Sequence, residues 1–155
     1  MELIVVVAII AVAAGVATLA LRDPSADRLE REAVRLSALL ESARAEARAL
    51  GLPVSWRPVG AGAGDVHFRF VGLPASSDLP SRWLYDEVQA QVVGATALVL
   101  GPEATIPPQR VVLTLGDHRV VLVTDGLGPF VIEGTETDTP PAGRTSATSG
   151  AEQRT

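Results

Sequence analysis

The residue types that most often perform chemistry are sparse in this chain and poorly placed to act together. The two histidines, His67 and His118, are far apart and lack the spacing of a metal-binding motif. Asp86 and Glu87 are adjacent, so on a strand their side chains would point to opposite faces. There is no cysteine and no Gly-x-Ser-x-Gly nucleophile motif. We therefore expect no enzyme, no cofactor and no metal site.

Three other features invite a functional interpretation, but local structure explains them better. The glycines of residues 60–64 lack the last glycine of a dinucleotide-binding loop and the lysine of a P-loop, which predicts a flexible turn. Asp125 precedes a glycine and is expected to form a turn rather than to bind a ligand. Trp56 and Trp83 are expected to pack in or beside the core rather than to stack on bases.

Length and charge limit the classes of function. A chain of 155 residues with a long apolar start has room for one small domain. The net charge is −5, and from residue 51 onward there are 7 arginines against 11 acidic residues, a balance of −4. No basic cluster is present, so no nucleic-acid partner is expected.

Most of the first 22 residues belong to one uninterrupted apolar run. From Leu3 to Leu21 only Thr18 is strongly polar, and as a helix this run would be roughly 28 Å long, close to the thickness of a bilayer core. We expect residues 1–22 to form a transmembrane or assembly helix. Its apolar positions include Leu3, Ile4, Val5, Val6, Val7, Leu19 and Leu21. A cleaved secretory signal and a plain single-span anchor are the alternatives.

Glu2 is the one charged side chain before this run. A carboxylate at the edge of a membrane helix is costly unless it is paired, so it is a candidate functional residue. In an assembly of like helices it would fix the register by reaching a neighbour's cationic amine. The alternative is a carboxylate that simply lies among lipid headgroups.

A second helical segment is predicted for residues 23–50. Its apolar residues recur at alternating steps of four and three, a stripe able to cover one face of a sheet. The stripe consists of Leu29, Ala33, Leu36, Leu40, Ala43, Ala47 and Leu50. Gly51 and Pro53 mark the end of this helix. A coiled-coil dimer is the rival interpretation of the stripe.

After the helix, the pattern changes to short strands separated by turns. Strands are predicted at residues 53–57, 66–71, 83–85, 88–100, 111–115, 119–124 and 130–132. Gly116 to His118 predicts a hairpin with a three-residue loop. We expect residues 51–133 to form a β-rich head and the polar residues 134–155 to form a disordered tail. The fold class is therefore α+β, with a long N-terminal helix packed on an antiparallel sheet or a two-sheet sandwich.

The start of the chain resembles a known family. Glu2 followed by Leu-Ile-Val-Val-Val-Ala-Ile-Ile-Ala is similar to the prepilin signature of type IV pilins and type II secretion pseudopilins. In that family a prepilin peptidase removes a short basic leader, and the new terminal residue is N-methylated. The leader, its glycine and the first three mature residues are missing here. We therefore expect either a true start upstream of Met1 or a copy that is not processed.

The head adds to this resemblance. Residues 29–33, 44–48 and Trp56, together with Asp125, Gly126, Leu127, Gly128, Pro129 and Phe130, resemble the minor pseudopilin H family (GspH and FimT-like proteins). The resemblance implies a pilin-like fold and a structural subunit near the tip of the periplasmic pseudopilus of a type II protein secretion system.

The implied location is the bacterial inner membrane, crossed once, with the head in the periplasm. The implied partners are other minor pseudopilins, the major pseudopilin and the prepilin peptidase, with Glu2 neutralising the terminal amine of an adjacent subunit. The alternatives are a type IV minor pilin for pilus biogenesis or DNA uptake, and a membrane-anchored binding module. A membrane-anchored enzyme is disfavoured because site residues are missing.

Overall fold

The computed structural model describes residues 4–7, 24–60 and 64–133. One long helix is followed by seven strands in this part of the chain. The helix is α1 (Pro24–Leu50), and the strands are β1 (Val54–Pro58), β2 (Phe68–Val71), β3 (Gln89–Val92), β4 (Leu98–Gly101), β5 (Gln109–Leu115), β6 (His118–Thr124) and β7 (Val131–Glu133). The expectation of an α+β fold with an N-terminal helix packed on antiparallel sheets is confirmed.

Much of the predicted N-terminal helix lies outside the described residues, including Glu2, Leu3, Leu19 and Leu21. Residues 4–7 are helical, and Ile4, Val5, Val6 and Val7 are all more than half exposed. Among the described residues, no helix is both long enough and apolar enough to cross a membrane. The predicted tail, residues 134–155, also lies outside the described residues.

The ends of α1 follow from local sequence. Pro24 begins the helix, where its missing N–H is no loss, and Asp27 in the first turn and Arg48 in the last turn complement the helix dipole. Gly51 then adopts a positive φ of 64°, which L-residues with side chains rarely adopt. The Leu52 N–H donates to the Ala47 carbonyl at 3.0 Å, as in a Schellman cap.

The apolar stripe of α1 faces the sheets of the same chain. Six of its predicted members have no exposed surface, namely Leu29, Ala33, Leu36, Leu40, Ala43 and Ala47. The prediction for Leu50 was wrong, because this side chain is 50% exposed. The helix ends at Leu50, and after the cap it is Leu52 that packs against the core.

Two antiparallel sheets cover the helix. The three-stranded sheet has the order β2-β1-β4, and the four-stranded sheet has the order β3-β5-β6-β7. At the start of β5, Gln109 bonds the backbone of β4 at Val99, accepting its N–H at 2.6 Å and donating to its carbonyl at 2.8 Å. The Gln109 side chain therefore joins the two sheets. On the inner side, a Cβ on Gly101 would lie 2.8 Å from the Ala47 Cβ, so β4 lies directly on α1.

Two strand predictions and the predicted hairpin loop need correction. Residues 83–85 form no strand, and residues 88–100 form two, because the chain leaves the four-stranded sheet after Val92 and enters the three-stranded sheet at Leu98. The hairpin loop has two residues rather than three, since His118 already pairs with Leu115. The other five predicted strands occur within two residues of their predicted bounds.

The burial of the stripe predicts a contrast between two leucines of α1. Leu40→Ala removes a fully buried side chain and should lower the free energy of unfolding by about 2–5 kcal/mol. Leu50→Ala, at the exposed end of the same helix, should lower it by less than about 1 kcal/mol. Urea denaturation followed by circular dichroism measures both. Equal losses would contradict this packing.

Candidate assembly surface

Two buried charged side chains flank the apolar stripe of α1. Each residue advances about 100° around a helix, so Glu32 and Arg44 project from opposite sides of the stripe. Glu32 has no exposed surface and Arg44 is 2% exposed. Buried charges need partners, and each of these binds backbone groups of a different loop of the head. The helix is therefore attached to the head along both flanks as well as through its apolar face.

Glu32 holds the loop before β3. One of its carboxylate oxygens, Oε1, accepts the backbone N–H groups of Leu84 and Tyr85. The other oxygen, Oε2, lies 3.4 Å from Arg35 Nη1. The backbone amides of this loop are bonded by a side chain and not by a neighbouring strand, which explains why the predicted strand at residues 83–85 does not form.

Arginines strengthen the attachment on this flank. Arg35 donates to the Arg82 carbonyl at 3.0 Å, and Arg31 donates to the Tyr85 hydroxyl at 3.4 Å. The Arg28 guanidinium lies over the Tyr85 ring, 5.4 Å from its centroid, within cation–π range. Three arginines of α1 thus contact residues 82–85, and the loop is fixed against the N-terminal half of the helix.

Arg44 holds the loop between β6 and β7. Its Nη1 donates to the Gly128 carbonyl at 2.8 Å, and its Nη2 donates to the Gly126 carbonyl at 3.4 Å. Nη1 also lies 3.4 Å from the carboxylate of Glu41. The planar guanidinium can serve several oxygens at once, which suits it to gathering the carbonyls of a tight turn.

Two more residues of the same flank bind the end of this loop. Ser37 donates its hydroxyl to the Phe130 carbonyl, and Glu41 accepts the Phe130 N–H at 3.3 Å. The Phe130 side chain is 1% exposed and lies in the core. The loop therefore enters β7 in a fixed orientation, with both backbone polar groups of Phe130 bonded to the helix.

Asp125 organises the loop internally. Its Oδ1 accepts the N–H groups of Leu127 at 2.9 Å and Gly128 at 2.8 Å, an Asx-type turn. These N–H groups, of which that of Gly128 has the larger effect, hold the pKa of the Asp125 carboxyl below its usual value. Thr124 closes the turn, because its hydroxyl donates to the Gly128 carbonyl and accepts the Gly126 N–H, each at 3.0 Å.

Gly126 is fixed by both conformation and space. Its φ is +92°, and a Cβ at this position would lie 1.8 Å from the Ile106 carbonyl oxygen. The Ile106 N–H in turn donates to the Gly126 carbonyl at 3.1 Å. No other residue type fits without moving the backbone. The next residue, Leu127, is 73% exposed, so a rigid turn presents an apolar side chain to solvent.

The face of α1 turned away from the sheets has an unusual composition. Five exposed positions follow one side of the helix for more than four turns and none is charged. They are Val34, Ala38, Ser42, Ala45 and Ala49. A helix face that meets only water usually carries charged residues. This back face is therefore suited to close contact with another helix.

The residues considered above as candidates for catalysis or metal binding do not form a common site. The backbone N–H of Trp83 donates to His67 Nδ1 at 2.9 Å, so this histidine has a structural partner. His67 Nε2 lies 3.9 Å from Asp86, which is 76% exposed. Across the described ranges, no group of three histidine, cysteine or acidic residues could hold a metal ion. Trp56 and Trp83 lie in the core, with their ring centroids 6.5 Å apart.

Sequence reasoning missed the structural roles of Glu32 and Arg44. Both belong to the polar flanks of a predicted amphipathic helix, where surface exposure is the normal expectation. Their partners are backbone groups 52 and 84 residues farther along the chain. The sequence shows that Arg44 follows Glu41 by three residues, but this spacing does not reveal whether the arginine is buried or exposed.

Comparison with known proteins identifies a solved structure with a similar fold. No protein-family model and no curated protein sequence matches the chain. The structure is similar to the crystal structure of the type IV minor pilin FimU of Pseudomonas aeruginosa strain PAO1, with a TM-score of 0.53 and 17% sequence identity. The similarity covers 70% of this chain and 90% of the other. The chain therefore has a pilin-like fold.

The attachment of the β6–β7 loop predicts a contrast between two arginines. Arg44→Leu removes the charged donor shared by the Gly126 and Gly128 carbonyls, which keep only their bonds from Ile106 and Thr124, and should lower the free energy of unfolding by about 1.5–3 kcal/mol. Arg48→Leu, one turn farther on the same flank and exposed, should lower it by less than about 1 kcal/mol. Urea denaturation compares them, and an Arg44→Leu protein as stable as the wild type would contradict the attachment.

The lowered pKa of Asp125 predicts a pH-dependent contribution. A carboxyl with a lower pKa in the folded state stabilises the fold above its unfolded pKa of 3.8 and loses this effect as the pH falls through the folded value. Wild type should therefore be more stable than Asp125→Ala at pH 6, and the difference should shrink towards pH 2. Urea titrations at several pH values measure it. A difference that is independent of pH would contradict the assignment.

Proposed function

We propose that this chain is a structural subunit of a type IV pilus-like fibre. The observation that carries the proposal is the shared fold with a type IV minor pilin, in which one long helix supports an antiparallel β head. The apolar run from Leu3 to Leu21, preceded by Glu2, supports it from the sequence.

In this proposal, the apolar N-terminal helix is held in the bacterial inner membrane and then packs among like helices in the fibre. The uncharged back face of α1, from Val34 to Ala49, would extend that helix–helix contact beyond the membrane. The head, fixed to α1 along both flanks, would lie on the periplasmic side. Because the attachment uses buried groups, it remains intact when the exposed faces meet neighbours.

Glu2 has a specific role in this assembly. A carboxylate among apolar helices needs a cationic partner, and the terminal amine of an adjacent subunit would provide one. This pairing would fix how far each subunit advances along the fibre. It requires a prepilin-type terminus, so a prepilin peptidase acting on a start upstream of Met1 is part of the proposal.

The finer assignment within this class is a minor pseudopilin of a type II protein secretion system. It is supported by the resemblance of the segment Asp125 to Phe130 to the minor pseudopilin H family and by the rigid attachment of that segment to α1. Such a subunit would be near the tip of a periplasmic pseudopilus, in contact with other minor pseudopilins and with the major one.

A type IV minor pilin is the second candidate, and the fold shared with FimU favours it. Deletion of the gene distinguishes the two. Loss of enzyme secretion with normal twitching supports the pseudopilin, whereas loss of twitching or transformation with normal secretion supports the pilin. A plain membrane-anchored binding module predicts that the protein never enters a fibre.

The role of Glu2 predicts the effect of its removal. Glu2→Ala should reduce incorporation into sheared fibres at least about tenfold, equivalent to about 1.4 kcal/mol, because the neighbour's amine loses its partner. Immunoblots of fibre and membrane fractions from the native host measure the change. The head should keep its circular dichroism spectrum, since Glu2 lies far before α1 in the sequence.

Glu30→Ala is the matched control, because Glu30 is an exposed acid on the outside of α1. This variant should enter fibres as wild type does. Normal incorporation of Glu2→Ala, measured by recovery with the sheared fibres, would contradict the proposed role.

A further inference from the structure

The outer face of the three-stranded sheet carries two arginines without partners. Arg57 of β1 and Arg69 of β2 are directly opposite each other in the register. Their sequence neighbours Trp56 and Phe68 are fully buried, so both arginines point outward and both are exposed. No hydrogen bond or ion pair connects either guanidinium to any described residue.

This arrangement costs stability in the isolated subunit. Side chains directly opposite on antiparallel strands have Cβ atoms about 4.5–5.5 Å apart, and like charges at such positions repel. A single threonine or an acidic residue at either position would relieve the repulsion. Two adjacent, uncompensated positive charges are therefore better explained by a negative partner that is absent from the free subunit.

The other exposed arginines of the head differ in this respect. Arg82 lies 3.5 Å from Asp65, and Arg110 lies 3.2 Å from Glu133. Arg119 has no ion pair with a described residue, but the residue opposite it is Thr114 and not a second cation. Within the described part of the head, a directly opposed pair of unpaired cations occurs only on the outer face of the three-stranded sheet.

The surface beside the two arginines is concave and partly apolar. A shallow open pocket of about 460 Å³ is lined by both guanidinium-bearing residues and by Pro58, Val59 and Val71. Val71 is 42% exposed. Charged residues beside an exposed apolar floor are typical of a protein interface, where apolar contact provides affinity and charge provides orientation.

We infer that this face, defined as Arg57, Arg69 and Val71, binds an acidic segment on the head of another pilin-like subunit. The inference rests on the proposed function. Carboxylates at alternate positions of an extended segment lie on one side, about 7 Å apart, and so can each meet one guanidinium. Apolar side chains of the same segment would contact Val71.

Protein carboxylates suit this face better than nucleic acid does. Nucleic-acid surfaces spread many cations along a strand and often add exposed aromatic rings for stacking. On this face only two cations lie together, and the net charge of the chain from residue 51 onward is −4. The aromatic rings of Trp56, Phe68 and Trp83 are buried and so are not exposed for stacking. The positive charge is thus local and fits one short acidic segment.

Site-directed photocrosslinking in the native host tests the inference. A photoreactive phenylalanine analogue replaces Val71 in the full chain, and mass spectrometry identifies the crosslinked residue. The expected adduct joins another fibre subunit within a few residues of two acidic side chains. An adduct to nucleic acid, to lipid, to this chain itself or to a segment without acids overturns the inference, as does the lack of any adduct.

Charge reversal completes the test. Arg57→Glu and Arg69→Glu should each reduce the adduct at least about tenfold, because like charges then face each other across the contact. Arg119→Glu is the matched control and should leave the adduct unchanged. In a chain that carries both Arg57→Glu and Arg69→Glu, the adduct should be restored when the acidic residues of the crosslinked partner are replaced by arginine. A reduction without this restoration overturns the inference.

Fibre incorporation of the wild-type chain is measured in the same cells. If the chain enters fibres but the Val71 adduct is absent or insensitive to charge, the inference fails and the proposed function stands. If the chain never enters fibres, the proposed function fails.

Discussion

The fold depends on how α1 is held against the two sheets. Its apolar stripe removes six side chains completely from solvent, and the charged residues on either side of the stripe bind backbone groups of two separate loops. Apolar burial supplies most of the attraction and has little directional preference. Glu32 and Arg44 add direction, because a carboxylate or guanidinium tolerates only a few positions of the N–H and carbonyl groups that it binds. Together they fix the rotation of the helix relative to the head.

Under the proposed function, the stability of the fold and the assembly of the fibre depend on different groups. Groups that hold the subunit together are buried between α1 and the sheets. The groups to which we assign contacts with other subunits in the proposed fibre remain exposed, namely the uncharged back face of α1, the turn that presents Leu127, and the opposed Arg57 and Arg69. A subunit that enters a fibre has to keep its fold while several surfaces become buried. Rigid surfaces also lose little conformational freedom on binding, which favours association.

Periodicity along the chain was enough to predict the helix, its buried stripe and the antiparallel character of the head. Leu29 to Ala47 follow the helical repeat, and the residues of β5 and β6 alternate as a half-buried hairpin should. The predicted strand at residues 83–85 was wrong for a reason that local patterns do not contain. Glu32, distant in sequence, takes the N–H groups of Leu84 and Tyr85. The Arg57–Arg69 pair likewise depends on strand register, which a single sequence determines poorly.

The central claim is that the chain is processed and assembled as a pilin-like subunit. Intact mass and N-terminal sequencing of the protein purified from its native membrane test it most directly. The account predicts a terminus a few residues upstream of Met1 that carries an N-methyl group, which would place Glu2 where a neighbour's amine can reach it. A terminus at Met1, or a terminus near Asp23 after loss of the apolar run, would contradict it.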